Sequence, residues 1–253
     1  MKTILGSILL VTVVAAPAAA QDDPWTWRKA VPAGQTVEIR GIMGTIQASA
    51  ATGNQVEIVA RKSARSGDPS EVRIEVEEHA GGVVVCALYD DRSSCAAEHT
   101  RGSHNRNNDT RVDFEVRLPR GVQFTGKNIS GDVEATGLDA RVQASTVSGR
   151  VRVSTSDIAS ASTVSGSIDV RMGRSDWTGA LKFSTVSGDI DVEFAGDLNA
   201  DVELRTVSGD LDSDWPMTMN AAGRGQVRGR IGAGGRELSF SSVSGSVELR
   251  KAQ

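Results

Sequence analysis

The chain has 253 residues, only two cysteines and a formal net charge of −4 at pH 7. This acidic balance excludes nucleic-acid binding, which needs a basic face, and the length suffices for one repeat domain with a substantial core. Segments with capped ends and a 3.6-residue apolar period are absent, so we predict an all-β chain.

Residues 1–20 have the features of a secretory signal peptide. Lys2 supplies the positive start, residues 4–15 are apolar, and residues 18–20 are alanines of the kind that precede a cleavage site. We therefore predict a periplasmic or secreted protein whose mature chain begins at Gln21. No later stretch is long and apolar enough to predict a membrane-spanning helix. The alternative is an amphipathic N-terminus that is not cleaved.

Residues 21–121 form an irregular front portion of the single all-β domain, which we place at residues 21–253. Alternating apolar residues predict strands here, within residues 21–28 and at residues 36–40, 45–47, 55–60, 72–77, 83–89 and 112–118. Trp25 and Trp27 lie on one side of the first strand. They either cover the open end of a repeat stack or contact a glycan.

Cys86 and Cys95 are the only cysteines. In an exported chain, an isolated pair at this spacing predicts a disulfide, which would contribute roughly 2–3 kcal/mol in the chain-entropy model. A metal or redox site built from the thiols is the alternative, but the spacing matches neither kind of motif. The polar loop that follows contains His99 and His104, which we interpret as solvated residues and not as metal ligands.

A short word recurs through residues 122–253, where Thr-Val-Ser-Gly is followed by alternating polar and apolar residues. Its glycines lie 17 to 22 residues apart, except for a last step of 36 residues that predicts a degenerate copy at residues 225–231. Self-similarity at a short period indicates stacked units that bury their apolar faces on one another. We assign a structural turn to the six glycines, which are Gly131, Gly149, Gly166, Gly188, Gly209 and Gly245.

Each unit has the pattern strand, corner, strand. After Gly166, for example, Ile168 and Val170 share one face of a strand, and Ser167 and Asp169 share the other. The adjacent Thr and Val of the word break the alternation, so the chain must bend there. Glycine then supplies a positive φ at low cost.

Two arrangements of these units are compatible with the pattern. In a β-solenoid the corners stack and the strands of successive units run parallel, whereas in a meander of hairpins the neighbours are antiparallel. A unit of about 18 residues has a perimeter near 60 Å at roughly 3.3 Å per residue, which suits a flattened tube. We therefore predict a repeat β-solenoid and keep the antiparallel β-meander as the alternative.

The repeat words resemble the bacterial putative-adhesin family of β-strand repeat proteins, a domain of unknown function. The resemblance is carried by the words at 163–168, 185–190 and 206–211, and by residues 229–235 followed by 238–245, which match the family's usual ending. It covers the chain from about residue 36 onward. It implies a structural repeat and supplies no catalytic residues.

Acidic residues occupy equivalent positions after two successive repeat glycines. If the units stack in chain order, Asp189, Asp191, Asp210 and Asp212 form an outward-facing acidic cluster. Oxygen ligands at such spacing suit Ca²⁺, so these four are candidate metal ligands. The alternative is a solvated face that Arg150 and Arg152 partly neutralise.

Two longer loops carry the remaining tryptophans, Trp177 and Trp215. Loops that project from a rigid stack often carry binding residues, so the two indoles are a candidate ligand platform. In the alternative interpretation each tryptophan folds back over the edge of the stack.

Motifs of nucleophilic or dinucleotide-dependent catalysis are absent, so we predict a non-enzymatic protein without a cofactor. Its expected role is adhesin-like attachment to an envelope or surface protein or to a glycan. Two further functions remain open, namely an envelope enzyme that acts on polysaccharide along the repeat face and a periplasmic regulator that binds a partner protein.

Overall fold

The computed structural model describes residues 24–90, 93–95, 108–223 and 225–252. Within these ranges the chain is built from strands in two sheets, and its one helical element is the short 3₁₀ turn Pro69–Glu71. No helix in the described ranges is long and apolar enough to cross a membrane. The predicted signal peptide, Gln21, His99 and His104 lie outside the described residues.

Ten strands form one sheet, here sheet A, and eleven form the other, sheet B. In spatial order, sheet A contains β1 (Trp25–Lys29), β4 (Val56–Ser63), β7 (Arg111–Leu118), β3 (Ile46–Ala50), β9 (Val133–Leu138), β11 (Val151–Thr155), β13 (Ile168–Met172), β15 (Ile190–Phe194), β21 (Val247–Lys251) and β17 (Leu211–Ser213). Sheet B contains β18 (Met217–Gly223), β19 (Gln226–Ile231), β16 (Ala200–Arg205), β20 (Glu237–Ser241), β14 (Ala180–Ser184), β12 (Ala159–Ser162), β10 (Val142–Ser145), β8 (Gln123–Lys127), β2 (Thr36–Arg40), β6 (Gly82–Leu88) and β5 (Arg73–His79).

Each repeat contributes one strand to sheet B, a Thr-Val-Ser-Gly corner and one strand to sheet A, and we call this unit a coil. Neighbouring coils pair in parallel and in phase, so that Val151 lies beside Ile168 and Ile168 beside Ile190. The predicted β-solenoid-like fold is therefore confirmed. The meander alternative is wrong, because the repeat strands do not pair with their neighbours as antiparallel hairpins.

The core lies between the two sheets and follows from the period of two. Ile168 and Val170 point inward and are 1% exposed, while Asp169 between them faces out. Phe183 and Phe240 stack at 5.6 Å between ring centroids in adjacent strands. Apolar side chains that range from Ala and Val to Phe therefore fill the interior between the two sheets.

The spatial order of the coils departs from the chain order at both ends. The last coil, β20 and β21, inserts between the coil of β14 and β15 and the coil of β16 and β17. The coil of β2 and β3 likewise lies between β6 with β7 and β8 with β9. Strand β21 is thus an interior strand with partners on both sides.

The degenerate copy predicted at residues 225–231 is wrong. Strand β19 occupies this segment, but it pairs antiparallel with both β16 and β18 and forms no stacked coil. The hairpin of β18 and β19 instead extends sheet B beyond the last coil. At the opposite end β4 and β1 extend sheet A, and β5 extends sheet B.

The front portion carries the disulfide. Cys86 on β6 is bonded to Cys95, with 5.7 Å between their Cα atoms, which confirms the predicted pair. Both cysteines are buried on the outer side of β6 together with Val84 and Leu88, separately from the main core. Trp25 and Trp27 on β1 are half-buried and pack against the core at the end of sheet A, as in the interpretation that they cover the stack's end.

Candidate functional site: the corner edge of the coils

The six repeat glycines bring the backbones of neighbouring corners into direct contact. Their φ angles lie between +130° and +153°, which side chains rarely tolerate. A Cβ atom added at any of them would lie 1.8–2.3 Å from the carbonyl oxygen of the glycine in the adjacent corner. Glycine is therefore required here by both its conformation and its lack of a side chain. These residues are Gly131, Gly149, Gly166, Gly188, Gly209 and Gly245.

In three corners the threonine of the word points inward and bonds to the preceding corner. Thr146 Oγ1 donates to the carbonyl oxygen of Gly131 at 2.9 Å, and Thr185 Oγ1 donates to that of Gly166 at 3.1 Å. Thr163 makes the equivalent bond. Because these hydroxyls are buried, the bonds satisfy groups that would otherwise be costly to bury. Threonine at this position therefore holds the coils together.

The residue at the valine position of each word, which is Ile129 in the first copy, points into solvent. In adjacent corners these residues form one continuous apolar row, which we call the valine ridge. Five of the six are 39–47% exposed and Val207, at the end, is 81% exposed. With a strand spacing of about 4.8 Å, the ridge is roughly 24 Å long. In spatial order it consists of Ile129, Val147, Val164, Val186, Val243 and Val207.

Polar residues border the ridge on the side of sheet A. A row of serines comes first, paired from corner to corner through parallel bridges, as between Ser148 and Ser165. Two aspartates beyond it cap the backbone of the neighbouring coil: Asp132 accepts from the Arg150 amide at 2.7 Å, and Asp189 accepts from the Ser246 amide at 2.9 Å. The ridge is thus an apolar row that is bordered, on the side of sheet A, by polar residues paired or bonded from coil to coil.

The predicted acidic cluster is wrong, because it assumed that the coils stack in chain order. Strand β21 separates Asp189 and Asp191 from Asp210 and Asp212. Asp191 therefore lies beside Glu248, and Glu248 beside Asp212. In the described part of the chain no group of His, Cys, Asp and Glu side chains could hold a metal ion.

An arginine side chain already neutralises part of this row of carboxylates, which is formed by Asp191, Glu248 and Asp212. Arg250 bonds Asp191 at 3.0 Å and also pairs with Glu248, and the neighbouring carboxylates raise its pKa above the ordinary value. Arg250 also lines an open depression of about 220 Å³ on the outer face of sheet A, together with Asp169, Arg171 and Glu193. Ion pairs on a surface of this kind are weak and are screened by salt.

The two loop tryptophans do not form an exposed ligand platform. Both are only 8% exposed, because their loops fold back over the core. The Trp177 ring stacks on Phe194 at 5.7 Å, and its Nε1 donates to the carbonyl oxygen of Glu237 at 3.2 Å. The Trp215 ring meets Phe194 edge-on at 6.3 Å. The platform prediction is therefore corrected in favour of its alternative.

Where the pKa of a carboxyl group is shifted, it is lowered, so the charged form is favoured. The pKa of Glu203 lies below its ordinary value because Arg228 and Arg205 hydrogen-bond its carboxylate. The pKa of Asp201 is likewise lowered, through Arg230 and the Gly235 amide. A general acid needs the opposite shift, so these groups suit structural pairing and not proton donation.

Comparison with known proteins gives one family and several distant structures. The family model described as Toastrack DUF4097 matches residues 109–250, which is more than half of the chain. No curated protein matches the sequence.

The similar solved structures cover nearly the whole chain at low identity. A putative cell adhesion protein from Clostridium sporogenes is 12% identical, with a TM-score of 0.43, and the match covers 91% of this chain and 100% of that one. A putative adhesin from Bacteroides fragilis is 14% identical, with a TM-score of 0.35 and coverages of 90% and 97%. A putative adhesin from Parabacteroides merdae is 11% identical, with a TM-score of 0.27 and coverages of 89% and 95%.

Proposed function

Because the chain belongs to the Toastrack DUF4097 family, we propose that it serves as an exported, non-enzymatic scaffold whose coils present a binding surface. Its role is adhesin-like, and it attaches to a protein or glycan of the cell envelope or cell surface. The signal-type sequence of residues 1–20 supports export. The Cys86–Cys95 disulfide supports an oxidising compartment such as the periplasm or the exterior.

The valine ridge is the observation that carries this proposal. A contiguous exposed apolar patch often marks a surface that contacts a partner. Of the large apolar residues that are exposed in the described chain, all but Met219 belong to the ridge. A straight apolar row bordered by serine hydroxyls suits an extended partner surface, because apolar contact and hydrogen bonds repeat at the same spacing.

The experiment replaces the four central ridge valines with threonine, which keeps the β-branched shape and the strand propensity while adding a hydroxyl. Purified protein is incubated with envelope fractions of the producing bacterium, and the retained protein and any released soluble fragments are quantified. The substituted residues are Val147, Val164, Val186 and Val243. A control variant carries four threonines on the outer face of sheet B in the same coils, at Gln143, Ser160, Lys182 and Ser239.

We expect the wild type and the control variant to be retained and the ridge variant to lose at least tenfold in retention. Equal retention of all three proteins contradicts the role of the ridge. Release of soluble saccharide fragments by the wild type contradicts the non-enzymatic assignment, whatever the retention.

A further inference from the structure

The two sheets end at different levels at one end of the stack. Sheet A stops at β17, a strand of three residues, whereas sheet B continues for two more strands, β19 and β18. The hairpin of β18 and β19 therefore overhangs a position in which sheet A has no strand. We call the space between the free side of β17 and the inner face of this hairpin the terminal recess.

The free side of β17 presents the backbone groups of Leu211 without a strand partner, while the Ser213 amide on that side donates to Asp212 Oδ1 at 2.8 Å. The Asp210 carbonyl accepts from the Val247 amide at 2.8 Å, and the Asp214 amide donates to the Leu249 carbonyl at 2.9 Å. In a strand the amide and carbonyl groups of successive residues point to opposite sides. Since those of Asp210 and Asp214 face β21, the amide and carbonyl of Leu211 face away from it. No strand of the described chain pairs with that side, so it is a ready template for another strand.

The overhanging hairpin presents apolar side chains to the recess. Val227 shares the inner face of β19 with the buried Ile231, and Met219 is paired with Gly229 on that same face. Met219 is 49% exposed, the one exposed large apolar residue outside the valine ridge in the described chain. Leu211 on β17 and Val227 on β19 are only half-buried. Apolar surface is therefore left uncovered where a strand is missing.

Unsatisfied polar atoms are concentrated at the same end. In the described chain, the buried side-chain polar atoms without a hydrogen-bond partner are Thr206 Oγ1, Ser242 Oγ and Trp215 Nε1. Thr206 and Ser242 belong to the corners of the last two coils, and Trp215 lies two residues after the end of β17. Trp215 is 8% exposed, so its unpaired donor carries a desolvation cost. Of the three atoms, Trp215 Nε1 lies nearest to β17 in the chain, and its unpaired state indicates that this end of the stack is incomplete by itself.

The charges around the edge define the complementary partner. Asp210 and Asp212 lie on the outer side of the β17 edge, and neither forms an ion pair with a described residue. A strand added beside them would place alternate side chains against these carboxylates and the others against Leu211 and the hairpin. The partner strand should therefore alternate basic with apolar residues.

A second copy docked by its own free end fits less well. Its β1 edge is basic at Arg28 and Lys29 and could follow β17 in sheet A. However, sheet A would then contain two strands, β4 and β1, between the coils of the two copies, and sheet B would contain three, β19, β18 and β5. The third strand in sheet B would require about 4.8 Å more space between the two copies than the two strands in sheet A provide. The two sheets could therefore not both be continuous across such a dimer.

We propose that the terminal recess binds an extended segment of another protein, which alternates basic and apolar residues and adds as a strand to β17. Main-chain hydrogen bonds to the Leu211 amide and carbonyl provide affinity, as in other cases of strand addition. Asp210 and Asp212 select basic residues on one face of the segment, and Met219 and Val227 contact its apolar face. This site is separate from the valine ridge, and the two can fail independently.

The test uses two blocked eight-residue peptides, four Val-Lys repeats and four Val-Glu repeats, with full-length mature protein. Binding is followed by NMR titration, and amide hydrogen exchange reports whether the Leu211 amide becomes protected. We expect the Val-Lys peptide to bind with at least tenfold preference and to protect Leu211. The double variant Asp210→Lys, Asp212→Lys should reverse the preference. The control variant Glu134→Lys, Asp169→Lys, with the same charge change on the same face, should keep it.

A third variant tests the backbone contact directly. Leu211→Pro removes a donor that faces away from β21, at an edge position where proline is tolerated, and it should abolish peptide binding while the circular dichroism spectrum is retained. If Leu211→Pro does not fold, the peptide preference of the variant Asp210→Lys, Asp212→Lys alone tests the proposal. Absence of binding at millimolar peptide, or an unchanged preference after the reversal, overturns the proposal. If the wild type forms concentration-dependent dimers and Leu211→Pro abolishes them, the partner at this site is a second copy of this chain and not another protein.

Discussion

Substitution of Gly188 by alanine should be among the most damaging single changes in the chain. Its φ is +137°, and the new Cβ would lie 2.1 Å from the carbonyl oxygen of Gly166, so the two corners would have to separate by nearly an ångström to reach the 3.0 Å that real contacts require. The separation would also stretch the bond from Thr185 Oγ1 to that oxygen, now 3.1 Å. Conformational strain of about 1–3 kcal/mol and a lost buried hydrogen bond of about 1–3 kcal/mol give an expected loss of roughly 2–6 kcal/mol.

The matched control is Gly196→Ala in the turn between β15 and β16. Gly196 also has a positive φ, +77°, but nothing lies within 4 Å of its added Cβ, so it isolates the conformational cost of about 1–2 kcal/mol. Urea unfolding followed by circular dichroism gives the free energy of unfolding of each variant. If Gly188→Ala costs no more than Gly196→Ala, the close stacking of the corners is refuted.

Three further predictions concern stability. Thr185→Val removes the bond to Gly166 and should cost about 1–2 kcal/mol, whereas Thr206→Val removes a hydroxyl without a partner and should be neutral or stabilising in urea unfolding; equal losses would contradict the role of the threonine row. The double variant Cys86→Ala, Cys95→Ala should lose about 2–3 kcal/mol, and reductant should lower the melting temperature of the wild type but not of the variant. Burial raises the pKa of Glu38, but hydrogen bonds from Lys127 and Arg40 outweigh this and leave it below the ordinary value of 4.5. The contribution of the charged Glu38 to stability is therefore present above that value and is lost as pH falls through the lowered pKa. Glu38→Gln should be less stable than the wild type by about 1–2 kcal/mol at neutral pH, and this difference should shrink below pH 4. A difference that does not change with pH would contradict this pairing.

The coil itself could be predicted from the sequence because its determinants are local. Alternation such as Ile168 and Val170 against Asp169 defines a half-buried strand, and the recurring glycine marks the bend. The sequence also contained the signal for the valine ridge, since Thr and Val are adjacent and only one of them can face inward. Burial of the threonine hydroxyl against the next corner decides which one does.

The order of the coils could not be predicted, because every coil offers the same inward surface. Ile190 packs beside Val247 as readily as it would beside Leu211, so the pattern contains nothing that places the last coil between two earlier ones. The predicted acidic cluster failed for this reason alone. Sequence distance is a poor guide to neighbours when the repeats are nearly identical.

The tryptophan loops were ambiguous for a different reason. An indole on a polar loop has the same sequence signature whether it is exposed or folded back. For Trp177 the deciding contacts are the Phe194 ring and the Glu237 carbonyl, which are distant in the chain and come together only after the coils have stacked.

The most direct test of the stack and its ridge is a pair of cysteine crosslinks along the exposed valines. The structure places the corner of Val243 between those of Val186 and Val207, and adjacent strands are about 4.8 Å apart, within reach of a disulfide. Oxidation of Val186→Cys, Val243→Cys should give an intramolecular disulfide, detected by mass spectrometry of proteolytic fragments. Val186→Cys, Val207→Cys should give none. Efficient crosslinking of the second pair without the first would mean that the coils follow chain order, and the ridge as described here would be wrong.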